Sequence, residues 1–384
     1  MVDIWLRKLT LAGFKNYREA EFEFSAKINC FVGNNGAGKT NLLDAIHYLS
    51  FCKSYFSSLD LQNIRHGDEL FAIHGQFERG DGISDLVQCI QRKNQRKRFM
   101  VNRKEYDRLA DHIGIFPLVM ISPYDRDLIN DGSELRRKYI DSVISQFDRL
   151  YLDDLIQYNK ALANRNALLK SFSEQRYFDA VSLEMWDEPM IRLGTKIAER
   201  RIEFLDRFVP LFRQYYGFVS NGNETVDIRY VTQREGTVYA DAFRAALDRD
   251  RVAGSSTLGI HKDDFDMAID GYPVKRFGSQ GQQKSFVIAV KLAQFEYTRN
   301  IKGFKPILLL DDIFDKLDDR RVTQLIRLVS ENSFGQVFIT DTSRERILTF
   351  FQSLEIDHQV FRIPEDSTGN DREATQPGDD GETA

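Results

Sequence analysis

Cys30-Phe31-Val32-Gly33-Asn34-Asn35-Gly36-Ala37-Gly38-Lys39-Thr40 fits the pattern G-x-x-x-x-G-K-[ST] without a mismatch. Its surroundings suit it. Ile28 to Val32, just ahead, is a short apolar run that reads as a buried strand. Asn41 to Leu49, just behind, carries apolar residues at helical spacing. Strand, glycine loop and helix in that order make a phosphate-binding loop. Glycines let backbone N–H groups close around a β-phosphate, a lysine ammonium reaches the β/γ oxygens, and a Thr hydroxyl is placed to ligate Mg²⁺. Gly33, Asn34, Asn35, Gly36, Ala37, Gly38, Lys39 and Thr40 are therefore the expected nucleotide contacts, with Thr40 also on the metal.

At 384 residues the chain exceeds what one ordinary core supports, so two domains or lobes are expected. Hydrophobic residues at 42% and charged residues at 29% describe a soluble globular protein. No run of about 18 uncharged apolar residues occurs, so no membrane span or membrane partner is expected. The opening Met1 to Lys8 lacks the charged and apolar regions of a secretory signal. Cys30, Cys52 and Cys89 are scattered and lack metal-ligand spacing, which suits a cytoplasmic protein better than a disulfide scaffold or zinc site. The net charge of −5 is misleading as a whole-chain figure. Pro364 to Ala384 holds seven acids against one arginine, a polar tail expected to be disordered, and the rest of the chain is close to neutral. A nucleic-acid partner stays compatible with that balance.

Leu6 to Leu11 and Ala20 to Phe24 alternate, and with Ile28 to Val32 they are expected to form the opening sheet. Leu86 to Gln91 and Arg98 to Asn102 read as a hairpin whose tip, Arg92 to Arg98, holds five bases in seven residues. Such a tip is either a phosphate-contacting finger or a solvated turn. From Leu128 to about Gly217 long stretches carry apolar residues at helical spacing without a sustained heptad, which reads as an inserted helical lobe. Arg136, Arg137, Lys138, Lys160, Arg165, Arg192, Lys196, Arg200 and Arg201 are its candidate basic-face residues, ordinary helix surface being the simpler reading of each.

Gly278-Ser279-Gln280-Gly281-Gln282-Gln283 leads into an apolar helix, a second place where a hydroxyl, a glycine backbone and a helix dipole meet an anion. Roughly 30 residues on, Ile307-Leu308-Leu309-Leu310-Asp311-Asp312 is an apolar strand ending in two acids. The first acid of such a pair completes a Mg²⁺ shell, and the second can position water. Leu317-Asp318 follows as a loop.

These four motifs, in this order, resemble those of ABC-type ATPases. Within that class the chain is most similar to the SMC-like recombination and repair ATPases. The likeness covers almost everything up to Ile363, through Leu9 to Arg18, Asn63 to Gly67, Ile121 to Ile129, Gly132 to Arg137, Ile260 to Asp264, Gly278 to Gln283, Leu309 to Asp312 and Gln336 to Thr340. It implies an α/β fold, an ABC-type ATPase head with an inserted α-helical lobe in place of the coiled coil. The head would occupy 1–127 and 218–363, the lobe 128–217, and the tail 364–384. It implies ATP and Mg²⁺ as ligands, with Asp311 on the metal and Asp312 catalytic. Ser279, Gly281 and Gln282 of one protomer would complete the site of another, giving an ATP-dependent homodimer and slow, DNA-stimulated hydrolysis. Double-stranded, gapped or junction DNA and RecR- and RecO-type proteins are the implied partners. RecA loading, replication restart and the SOS response are the implied setting.

The chain departs from transporter-type ATPases in having Asp312 in place of glutamate, no histidine in Thr340-Asp341-Thr342, and no glutamine after Ser122-Pro123. A transporter subunit is therefore disfavoured. A DNA-binding module that uses ATP only as a dimerisation ligand stays open, and Thr340 or Asp341 is the expected γ-phosphate sensor. Lys262 stands where the family often has arginine, and His261 reads as a structural histidine.

Overall fold

A strand buried on both faces must be covered on both sides, and Ile28–Val32 is buried at all five positions. It does not join the opening strands, contrary to the sequence expectation. It lies inside a parallel sheet ordered His358–Arg362, Ile28–Val32, Val337–Asp341, Ile307–Leu310, Leu118–Ile121. A parallel sheet with both faces covered suits so fully buried a strand, whose one polar side chain, Asn29, is bonded to the Ser25 N–H and carbonyl. The opening strands Ile4–Phe14 and Tyr17–Glu23 pair antiparallel with each other. They continue through Leu70–Arg79, Ser84–Arg92, Arg98–Val101 and Lys104–Glu105 into a separate six-stranded sheet. Their alternating burial is what a sheet with one wet face requires.

The computed structural model describes residues 3–220, 224–233, 236–314, 322, 324, 334–352 and 357–364. It divides into two units: the chain up to Asp125 together with the chain from Gln294 onward, and Arg126–Ala293. The acidic tail beyond 364 and Leu317-Asp318 lie outside the described residues.

In the first unit the two sheets enclose one core with the helix Lys39–Phe51. Phe24 meets Phe338 edge-to-face at 4.9 Å, and Phe31 and Phe361 close the cluster. Each such pair adds about 0.5–1.5 kcal/mol beyond its buried area. The register of the first strand shifts between Leu6 and Lys8. Buried Gln336 satisfies the backbone freed there, accepting from the Leu6 N–H at 2.7 Å and donating to the Leu6 and Ser25 carbonyls at 2.8 Å. One amide therefore links the two sheets.

The second unit holds the helices Ser133–Ser145, Arg149–Gln175 and Ala180–Ser220, and a small antiparallel sheet ordered Tyr272–Pro273, Asp264–Ile269, Val226–Val231. Sequence reading placed the lobe at 128–217 and returned the chain to the head at 218. In the structure this unit opens at Arg126 and runs to Ala293, because Val226–Val231 and Asp264–Ile269 pair with each other instead of joining the parallel sheet. Along the longest helix Met190, Leu193, Ile197, Phe204, Phe208 and Phe212 are buried, a stripe at three- and four-residue spacing that faces the core. Two arginines lie inside this core. Arg165 is fully buried against Asp187 and Asp250, each at 2.6 Å, and Arg201 is bound to Asp141 at 2.9 Å. No described helix is long and apolar enough to cross a membrane.

Each unit also holds a neutral histidine, His112 buried and His261 half-buried. His112 sits within 2.6 Å of the Leu49 carbonyl, and His261 lies between the Tyr158 hydroxyl at 2.9 Å and the Ser256 carbonyl at 3.2 Å. Burial lowers both to about 4. The unfolded chain then binds more protons than the folded one between the ordinary value and 4, so stability falls as pH drops through that window. Acidification from pH 7 to 5 is expected to cost about 2 kcal/mol per histidine. Urea unfolding of the parent, His112→Gln and His261→Gln at both pH values tests this. Equal losses in all three would show that the histidines are not responsible.

Candidate functional site

The loop between Ile28–Val32 and Lys39–Phe51 turns because Gly36 and Gly38 adopt φ of 83° and 105°, a region costly to other residues. At Gly38 a side chain is also excluded by space: a Cβ would lie 2.3 Å from Asn16 Nδ2. Asn16 braces the loop by donating to the Ala37 carbonyl at 3.1 Å and accepting from Asn41 Nδ2 at 2.8 Å, while the Tyr17 hydroxyl donates to the Gly38 carbonyl at 3.1 Å. Gly33 donates its N–H to the Asp341 carbonyl at 3.3 Å. Asn34, Asn35 and Gly36 are exposed at the tip, and Ala37 is buried. The helix has no side-chain cap at Gly38, so its first N–H groups are left for another acceptor. Lys39 is only 4% exposed, and its ammonium donates to the Gly33 and Asn34 carbonyls at 2.7 and 3.0 Å. Uncapped N–H donors, a glycine-lined tip and a held ammonium suit a polyphosphate.

Thr40 Oγ1 donates to Asp311 Oδ1 at 2.8 Å, joining residues 271 apart in sequence. Thr340 Oγ1 donates to the same oxygen at 3.0 Å and accepts the Asp312 N–H at 2.8 Å. Ser122 Oγ lies 3.5 Å from Asp311 Oδ2. Asp311 is 2% exposed, and its carboxyl is raised to about 6, chiefly by burial and further by the Asp312 charge, against hydroxyl donors that pull it down. Three hydroxyls and a carboxylate with no cation paired to it among the described residues form an oxygen set suited to a hard divalent ion. Mg²⁺ needs one or two protein ligands and fills its shell with waters and phosphate oxygens. Among the described residues no cluster of three or more His, Cys, Asp or Glu offers an alternative metal site.

Asp312 has a φ of 43°. Asp and Asn tolerate the left-handed region far better than longer side chains do. The backbone thus gives a reason for Asp over Glu at this position that the sequence did not reveal. Of the two expected sensors, Thr340 sits between the two acids. The Asp341 carboxylate is engaged by Arg346 at 2.7 Å and by the Ser343 N–H at 2.6 Å.

Ser279, Gly281 and Gln282 lie in the second unit at the start of the helix Gln280–Lys302. Ser279 is exposed and precedes the first helical residue. Its N–H donates to Gln282 Oε1 at 2.6 Å, and the Gln282 N–H donates to Ser279 Oγ at 3.2 Å, a reciprocal capping box. Gln282 Nε2 also donates to Glu224 Oε1 at 2.6 Å. Sequence reading did not single out Glu224, and only its acidic type was visible there.

The basic candidates separate. At the hairpin tip Lys93 pairs with Glu69 at 3.0 Å, Lys97 with Asp60 at 2.7 Å and Arg98 with Glu105 at 3.0 Å, while Arg96 donates to the Asp107 carbonyl at 2.8 Å. Lys97 is nearly buried and caps the Cys52 carbonyl at 2.6 Å. In the lobe Arg136 pairs with Asp264 at 2.8 Å, and Arg165 and Arg201 are core residues. Lys160, Arg192 and Lys196 are exposed.

The sequence model of the RecF/RecN/SMC N-terminal domain matches residues 5–359. The DNA replication and repair protein RecF of Phocaeicola vulgatus is 47% identical over 359 residues, covering 93% of this chain and 96% of the relative. Among solved structures, a recombination mediator protein RecF–ATP in the RecFOR pathway superposes with a TM-score of 0.84 at 29% identity, covering 95% of this chain and 98% of that one. The Smc head domain of Pyrococcus furiosus, at 16% identity and a TM-score of 0.54 over 94% of each chain, shares the fold alone. The chain belongs to the RecF family, with the ABC-type ATPase head fold of the RecF/RecN/SMC group.

Proposed function

We propose that the protein is an ATP-gated DNA-binding clamp of recombinational repair, dimerising on ATP at gapped or junction DNA. The observation that carries this reading is the 2.8 Å contact between Thr40 and Asp311, which brings the phosphate loop to the acidic strand end. Lys39 and the N–H groups from Asn34 to Thr40 would hold the phosphates of ATP, and Thr40 and Asp311 would hold Mg²⁺. Mg²⁺, when bound, neutralises charge on the phosphate oxygens. Asp312 orients the attacking water, and its short side chain together with a constrained backbone favours slow turnover. Ser279 and Gly281 from a second protomer finish the site, with Gln282 holding Ser279 in place. The resemblance to RecF proteins of the RecFOR pathway supports RecR- and RecO-type partners, RecA loading, replication restart, the SOS response and action in the cytoplasm.

ATP-dependent binding to duplex, single-stranded and gapped DNA across a salt series tests the clamp. Binding to gapped duplex is expected to need ATP and to weaken steeply with salt, as phosphate contacts require. A slope near zero would remove the clamp. Single-turnover hydrolysis, with and without gapped DNA, separates an ATPase from a module for which ATP is only a dimerisation ligand.

A further inference from the structure

We propose that Glu224 is the positioning residue of the signature serine, an inference that rests on the trans role given above to Ser279. A capping box with glutamate at its fourth position would close the helix start as well as one with glutamine. Glutamine adds a donor group that glutamate lacks, and the structure uses it. With its oxygen on the Ser279 N–H at 2.6 Å, the Gln282 amide turns its NH₂ group to Glu224 Oε1, also at 2.6 Å. The flipped amide would set NH₂ against an N–H and a carbonyl against a carboxylate, so both neighbours fix one orientation.

Glu224 is itself held from behind. Its second oxygen accepts the hydroxyl of Tyr216, which is fully buried near the end of the longest helix. The Tyr216 ring lies 6.3 Å from those of Phe212 and Phe286, and Phe286 is one turn beyond Gln282 on the signature helix. The chain Tyr216–Glu224–Gln282–Ser279 thus runs from a packed ring to an exposed hydroxyl. At its outer end Ser279 Oγ accepts the Gln282 N–H, so its own hydrogen is the group that can donate to an anion arriving from outside. The position of the lobe's longest helix is thereby imposed on the serine.

The test uses the full chain and three readouts: nucleotide binding by the monomer with a fluorescent ATP analogue, ATP-dependent dimerisation by light scattering, and steady-state hydrolysis. Gln282→Glu keeps the capping box but sets a carboxylate against Glu224. It is expected to lower dimerisation and kcat roughly tenfold or more with monomer nucleotide binding unchanged. Adding Glu224→Gln restores an amide–carboxylate pair in the reverse sense and leaves an acceptor for Tyr216. The double variant is expected to return to within about threefold of the parent. Glu224→Ala, which removes the acceptor without adding charge, is expected to give the same loss and serves if Gln282→Glu does not fold. Parental dimerisation by Gln282→Glu and Glu224→Ala, or a double variant no better than Gln282→Glu, would overturn the role of Glu224. Ser279→Ala is measured alongside: parental dimerisation there would overturn the trans reading itself, a separate failure.

Discussion

Lys39→Met is expected to weaken ATP binding roughly hundredfold and to abolish ATP-dependent dimerisation, because it removes the ammonium and keeps the aliphatic stem. Lys39 is 4% exposed and stands where the uncapped helix start and the glycine turn converge, so a phosphate there would have no other cation of the loop to meet. Its two carbonyl partners, Gly33 and Asn34, would lose a charged donor. A secondary fall of about 1–3 kcal/mol in stability is expected from that loss. Fluorescent-nucleotide titration and light scattering, with a thermal melt as control, separate the two effects. Arg is a poor substitute, since its planar fork is larger and does not act as a compact point charge. A Lys39→Met protein that dimerised normally on ATP would refute the nucleotide-switch reading.

The elements that make up the candidate site were legible as motifs because each motif is local. A glycine loop must present backbone donors wherever it folds, and a strand ending in two acids must present them at one sheet edge. The contact between Thr40 and Asp311 needed only the order of strands to be right. Where sequence reading failed, partnership was decided far away in the chain. Ile28–Val32 was legible as a buried strand, yet its neighbours, Val337–Asp341 and His358–Arg362, come from the other end of the molecule. Gln336 carried no sign that its amide would repair a shifted register at Leu6.

Charge was the least legible feature. Arg92 to Arg98 looks like a basic finger, but its side chains are mostly spent on Glu69, Asp60, Glu105 and the chain's own carbonyls. Arg201 did carry a signal that a basic-face reading overlooked. It falls between Ile197 and Phe204 on the apolar stripe of its helix, a position that faces the core whatever residue occupies it.

Arg201→Ala is accordingly expected to cost about 3–5 kcal/mol of stability, as truncating one partner of a buried pair strands the other. The guanidinium donates to Asp141 Oδ1 and Oδ2 at 3.0 and 2.9 Å, to the Tyr151 hydroxyl at 3.2 Å and to the Ile260 carbonyl at 3.0 Å. It also lies over the rings of Tyr230 and Phe265 at 5.9 and 5.7 Å. Burial is the largest single influence and opposes its charge, but Asp141, Tyr151 and Tyr230 together outweigh it, so the group stays ionised. Removing it takes both guanidinium hydrogen bonds from the Asp141 carboxylate and the donor from the Ile260 carbonyl. Arg201→Met with Asp141→Leu, which replaces the pair by apolar groups of similar length, is expected to recover most of the loss. Urea unfolding of both variants measures this, and DNA binding decides what the arginine is for. A surface contact to phosphate would lose DNA affinity and flatten the salt slope while leaving stability within about 0.5 kcal/mol. A core arginine shows the reverse: a large fall in the urea midpoint, repaired by the apolar pair, with the salt dependence of the surviving folded protein unchanged.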